Sequence, residues 1–218
     1  MVNVTVTANE DPQCELALSY APPDRRAALH ALFALDAALG QVLRTTREPM
    51  VGQMRLAWWR EALVRLDSAP PPPEPVLQAL GSEVLPLGPT GETLAGMTDG
   101  WEVLLGTIDE RTVADHARLR GEVLFKQAGL LLGAEGDPIA EAGQGWALAD
   151  LAVHLSESAL AASARGAALP LLAGAASHRW SRAGRALGAL THIARLNLAG
   201  PATPWRVPRL AWHRLTGR

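Results

Sequence analysis

Cysteine, acidic residues in the last third, β-branched alternation and long charge-free runs are all scarce in this 218-residue chain. The lone Cys14 excludes an internal disulfide and a Cys-rich zinc site. The six histidines (30, 116, 154, 178, 192 and 213) form no His-Glu-x-x-His pair, which argues against zinc hydrolysis. There is no Walker loop and no Gly-x-Ser-x-Gly elbow. Gly143-Gln144-Gly145 sits in a helical stretch with no strand before it, so no nucleotide cofactor is indicated. The opening MVNVTVTANEDPQCELAL lacks the basic and apolar regions of a signal peptide, and charge-free stretches fall short of the roughly 18 residues a membrane span needs. The expectation is a cytoplasmic protein, soluble or peripheral to the inner membrane.

A composition of 48% hydrophobic and 19% charged residues, with mean hydropathy +0.06, excludes a disordered chain and supplies a core. The net charge of −2 conceals a division. Residues 158–218 hold nine Arg and no Asp or Glu, whereas residues 1–157 carry a net −11. Such asymmetry points to an anionic partner: a membrane surface or an acidic protein face. Nucleic acid is disfavoured because no reading module accompanies the arginines.

Apolar residues recur at helical spacing, and Ala, Leu and Arg dominate, so the fold class is all-α. Predicted helices run over 25–47, 49–67, 91–106, 110–133, 138–164 and 177–198, with a short segment at 169–172 and an amphipathic piece after Pro208. Thr90, Asp109 and Asp137 are the expected N-caps. Pro70 to Pro73 form a stiff surface connector. One domain spans 1–218, with 1–10 as a flexible N-terminus and 200–218 as a basic, Trp-containing tail. Trp205, Arg206, Arg209, Trp212 and Arg214 of that tail are the candidate membrane or partner surface. The competing reading is that its tryptophans pack back on the bundle.

Two further groups stand out. Asp150, His154 and Glu157 at i, i+4 and i+7 share one helical face, either as cation ligands or as an ordinary solvated stripe. Adjacent Trp58 and Trp59 must face different sides of their helix, with core packing for one or both.

The run LSYAPPDRRAALHALFALDAALGQVLRTTREPMVGQMRLAWWREAL (18–63) resembles the N-terminal helices of the squalene/phytoene synthase family. Within it, "acidic, Pro, x, x, Gly, x, x, Arg-Leu, x, Trp-Trp-Arg" marks a divergent branch that includes an assembly factor for respiratory NADH dehydrogenase (complex I). ADHARLRGEVLFKQAGLLLGAEG (114–136) and GWALADLAVHLSESALAASARGAALPLL (145–172) are similar to later helices of the family. The resemblance implies a shortened, single-domain isoprenoid-synthase-like helical bundle. It also implies, for active members, head-to-head condensation of two prenyl diphosphates on magnesium held by two Asp-rich motifs.

This chain departs from the pattern at those motifs. Laid along the family's helices, the first motif's aspartates fall on Gly40, Gln41 and Arg44. The polar residues of the second fall on Ala149, Ala152, Leu155 and Ser156, and its closing acidic pair on Ala159-Leu160. Asp36, Gly40, Arg44, Ala149, Ala152 and Ser156 are therefore the degenerate cavity positions, with no catalytic residue and no metal ligand. Helix 25–47 should neighbour 138–164 with these small residues facing a common cavity. Asp150, His154 and Glu157 are expected to face away from it.

The resulting expectation is a non-catalytic binding or assembly protein at the inner-membrane surface. It needs no cofactor, and a membrane, an acidic protein or a prenyl lipid is its partner. The alternative is an active prenyl transferase of squalene, phytoene or hopanoid synthesis, for which alone magnesium would be needed.

Overall fold

The computed structural model describes residues 12–134, 136–200 and 206–218, with side chains in the last stretch from Pro208 onward. Among the described residues every element is helical. The expected flexible segment 1–10 and Trp205 lie outside them, as does the side chain of Arg206.

α1 (Pro12–Leu18) leads through a turn into α2 (Arg26–Thr45), and α3 (Pro49–Arg65) begins with proline in its first turn, where the missing N–H costs nothing. After the extended proline stretch comes α4 (Pro75–Ala79), whose first turn is capped by Glu74 accepting from Leu77 N–H at 2.8 Å. A π turn over Leu80–Val84 continues it. Sequence reading placed no element at α1 or α4. Yet Leu77, Leu80 and Val84 are fully buried, because they cover α2.

α5 (Gly91–Ala95) carries the expected Thr90 cap, in a box with Thr93. The Asp67 carboxylate adds two bonds from the N–H groups of Gly91 and Glu92, at 2.6 and 3.0 Å. α6 (Met97–Glu102) follows. Asp109 caps α7 (Glu110–His116) by accepting from Thr112 N–H at 2.7 Å. α7 passes through a π segment, Ala117–Glu122, into α8 (Val123–Leu132), so the predicted helix 110–133 is present with a wide turn at its centre.

The predicted helix 138–164 is two helices. α9 (Ile139–His154) ends at Leu155, whose backbone is extended, and α10 (Ser158–Ser177) folds back along it. Gly145 lies against Leu171 and Leu172, so the pair is antiparallel. Folding back buries Ala164, Ala168, Leu172 and Ala175, which a straight continuation would leave in water. The short segment expected at 169–172 belongs to α10, which runs on through Pro170. Asp137 does not cap α9. Its carboxylate accepts instead from Ser181 N–H and Oγ–H, at 2.8 and 2.6 Å, in the turn before α11 (Arg185–Ala199). α12 (Arg206–Thr216) returns antiparallel to α11.

α2 and α10 are long and apolar enough to cross a membrane by length and composition, although charge interrupts each, so the charge-free stretches remain short of a span. α2 is embedded in the bundle, with Leu29, Leu32, Leu35 and Leu39 fully buried. The buried apolar residues from Cys14 to Leu210 form one continuous core. Gly121 and Gly143 allow α9 to cross the π segment backbone to backbone: a Cβ on either would collide with the carbonyl of the other.

α12 is held to α11 partly by two histidines. The rings of His192 and His213 are 4.7 Å apart, and His213 Nε2–H donates to the Arg185 carbonyl at 3.0 Å. Burial, then His213, Arg209 and Arg195, push His192 down to about 4. Burial and Arg185 likewise lower His213, against its bond to the Arg185 carbonyl and the nearby Asp137. Both rings are thus neutral in the fold and take up protons more readily when released. Their contribution is complete above the ordinary histidine range and fades as pH falls from about 6.5 towards 4. Amide protection factors in α12, corrected for the intrinsic exchange rate, should fall between pH 7 and pH 5 more than in α9. Equal protection of α12 at both pH values contradicts this account.

Candidate functional site

The centre of the bundle holds a charged cluster. Arg120, in the π segment, is 4% exposed, and its guanidinium forks onto Asp36 of α2: Nε donates to Oδ1 at 2.9 Å and Nη2 to Oδ2 at 2.8 Å. Nη1 donates to Oδ2 of Asp150, on α9, at 2.5 Å. Asp36 Oδ1 also accepts from the indole N–H of Trp101 at 3.0 Å. The guanidinium lies over two rings, 4.1 Å from the centroid of Trp101 and 4.7 Å from that of Trp146. A planar, delocalised cation suits this place better than lysine, since it pairs bidentately with one carboxylate, reaches a second and stacks on aromatics.

His116 completes the arrangement. It is fully buried, with Nδ1 2.5 Å from the Gly100 carbonyl and Nε2 3.4 Å from Arg120 Nη1. The two contacts together assign the neutral tautomer with its proton on Nδ1. Burial and then Arg120 push its pKa down to about 3, so it remains uncharged beside the guanidinium. Burial opposes the charge on Arg120, but Asp36 and Asp150 outweigh it and hold the pKa above the ordinary arginine value. For Asp150 the balance is the mirror image: burial raises its pKa, and Arg120 overcomes this and lowers it. Arg120 and Asp150 thereby hold each other in the charged state.

Local structure brings Arg120 here. Gly100 carries no Cβ, because one would meet the Arg120 backbone N at 2.5 Å, so α6 presses directly on the π segment. The wide turn of that segment shifts the helical register as it passes Asp36.

Of the six degenerate cavity positions, Asp36, Gly40 and Arg44 belong to this region. A Cβ on Gly40 would lie 2.8 Å from the Trp101 ring, so the place where the resemblance lays a carboxylate is filled by an indole. Arg44 donates to Gln41 Oε1 at 2.7 Å and to the Ala37 carbonyl at 3.3 Å. Burial lowers its pKa, and it senses the charges of Asp150, Arg120 and Asp36. Ala149 is buried on α9, Ala152 is partly buried against the core, and Ser156 is exposed in the turn beyond α9. α2 and α9 do approach each other, Phe33 meeting Trp146 at 6.0 Å between centroids. The space between them holds Arg120, Trp101 and Trp146.

Asp150 does not face away as the helical projection suggested. α9 is enclosed by α10, α11 and the π segment, so the side of the helix that looked like a solvated stripe meets Arg120. His154 Nδ1 lies 2.7 Å from the Asp150 carbonyl and 3.7 Å from Asp150 Oδ1, whereas Glu157 is exposed in the turn. These three do not converge, and among the described residues no group of three His, Cys, Asp or Glu side chains could hold a metal ion. Asp36 and Asp150 offer no open set of oxygens to a divalent cation, because both already accept from the Arg120 guanidinium, which leaves the three groups with one net negative charge. Trp59 is buried and Trp58 is 48% exposed, which divides the adjacent indoles between core and surface.

Sequence reading missed Arg120, His116, Trp101 and Trp146. The available signal for Arg120 was its position among apolar residues in LRGEVLF, the same position that an arginine at the edge of a core occupies.

A family model of squalene/phytoene synthase matches residues 7–117, just over half of the chain. The matched stretch contains Asp36, Trp101 and His116, while Arg120 and Asp150 lie beyond it. No curated protein and no solved structure matches the chain.

A buried ion triad is costly to form and costlier to break. Arg120→Ala, which strands two carboxylates, should lower unfolding free energy by about 3–5 kcal/mol in urea titrations. The triple variant Asp36→Leu/Arg120→Met/Asp150→Leu, which removes every charge, should lose much less than the three single variants sum to. A loss in Arg120→Ala below about 1 kcal/mol contradicts the assignment of Arg120 as the central tie.

Proposed function

The chain belongs to the squalene/phytoene synthase family, and we propose that within it this protein is a catalytically silent member. It works by binding or assembling at the inner-membrane surface, by analogy with the complex I assembly factor that the branch it resembles includes. The observation that carries this reading is Arg120 bridging Asp36 and Asp150. Ionisation of a prenyl diphosphate needs hard cations on free carboxylate oxygens to neutralise the departing anion. Here the internal cation is a side chain that cannot be exchanged. The apolar cavity that would shelter a carbocation is occupied by Trp101 and Trp146 stacked on that side chain. What remains is a helical scaffold whose central carboxylates are tied to an internal guanidinium, and its outer surfaces are left to do the work.

With magnesium and farnesyl or geranylgeranyl diphosphate, the purified protein should release no pyrophosphate above background. In a host that carries complex I and makes prenyl lipids, loss of the gene should lower assembled complex I and leave squalene and carotenoid content unchanged. Pyrophosphate release that Asp36→Ala or Asp150→Ala abolishes would establish the transferase instead.

A further inference from the structure

α12 turns two different faces to its surroundings. Leu210, 3% exposed, and the fully buried His213 pack towards the bundle. Trp180 N–H donates to the Gly217 carbonyl at 2.8 Å, closing the end of the helix onto the turn between α10 and α11. On the opposite side Pro208, Ala211, Trp212 and Leu215 form a narrow outward ridge. Trp212 is 61% and Leu215 74% exposed, so these side chains do not pack back on the bundle.

Arginines flank the ridge on both sides. Arg209 lies along one edge and Arg214 along the other, by helical position, and Arg218 follows beyond the end of the helix. Arg179 and Arg185 extend the basic zone from the adjoining chain, donating to the carbonyls of Thr216 and Arg214 at 3.4 and 2.6 Å. The Arg214 guanidinium rests 5.1 Å from the Tyr20 ring. Asp137, the acid that acts on His213, is turned inward with its side chain 2% exposed and occupied by Ser181. No other acid lies in residues 158–218 to offset the nine arginines.

We propose that this ridge docks on a membrane surface rich in anionic phospholipid, with Trp212 and Leu215 at headgroup depth and the surrounding arginines on lipid phosphates. A projecting indole is amphipathic and settles at the water–lipid boundary. Guanidinium groups pair with phosphate through two parallel hydrogen bonds. Two apolar side chains alone anchor weakly, so the basic ring is the necessary second signal. The ridge is convex and its cations come from three elements, which suits a deformable, uniformly anionic plane better than a rigid acidic protein pocket. The inference names the surface on which the silent family member works and rests on that reading for location alone. Its failure leaves the diphosphate turnover test of the centre untouched.

The test is co-sedimentation of the full chain with phosphatidylcholine vesicles, alone or mixed with phosphatidylglycerol. The protein should pellet with the mixed vesicles only, and lose binding as salt rises from about 0.05 to 0.5 M. Trp212→Ser/Leu215→Ser and Arg209→Gln/Arg214→Gln should each lower partitioning at least about tenfold, with urea midpoints unchanged. Met54→Ser/Trp58→Ser on α3 and Leu169→Ser on α10 alter the other exposed apolar positions and should leave it within about twofold. Pelleting with neither vesicle, equal pelleting with both, or loss only in the α3 or α10 variants overturns the proposal. Retention on immobilised polyglutamate that depends on Trp212, without vesicle binding, overturns it in favour of an acidic protein face.

Discussion

The bundle is organised around one guanidinium. Arg120 must keep its charge where water is scarce, and it does so only because Asp36 and Asp150 are brought to it from helices distant in sequence. That requirement constrains the neighbouring packing. Gly100 is small so that α6 reaches the Arg120 backbone, Gly121 and Gly143 let α9 bring Asp150 close, and Gly40 makes room for the indole under the cation. These approaches are to backbone, or to the Trp101 ring at Gly40, so the glycines set how closely the elements carrying Arg120, Asp36 and Asp150 come together.

The architecture was legible because periodicity and capping are local. Thr90 and Asp109 cap helices where their side chains suggested, and Pro49 opens α3. The break after His154 was not legible, since the apolar period runs through Leu155-Ser156-Glu157 without a glycine or proline. Only the burial gained by α10 folding onto α9 decides it. Asp137 illustrates the same limit: a good local cap was diverted to Ser181 by a tertiary contact.

The candidate centre was half legible. Asp36, Gly40 and Arg44 could be singled out because the resemblance gave each a position relative to a known motif. Arg120 and Trp101 could not, since nothing local distinguishes a buried, paired arginine from a solvated one or a stacked indole from a core indole. Asp150 was noticed and assigned the wrong side. A helical projection fixes directions about one axis and does not say which neighbour stands in each direction.

The same logic relates the interior to the outside of the molecule. The proposed function places recognition on the surface, where the exposed ridge of α12 and the basic zone around it contrast with the acid-rich remainder of the chain. The central claim is that Arg120 stands where a catalytic family member needs metal. The most direct test is a crystal structure obtained with magnesium and farnesyl thiodiphosphate at high concentration. The account predicts Arg120 still bridging Asp36 and Asp150, with neither cation nor diphosphate between the two helices. Arg120 swung aside, with magnesium ions bound to Asp36 and Asp150 and a diphosphate upon them, would contradict it.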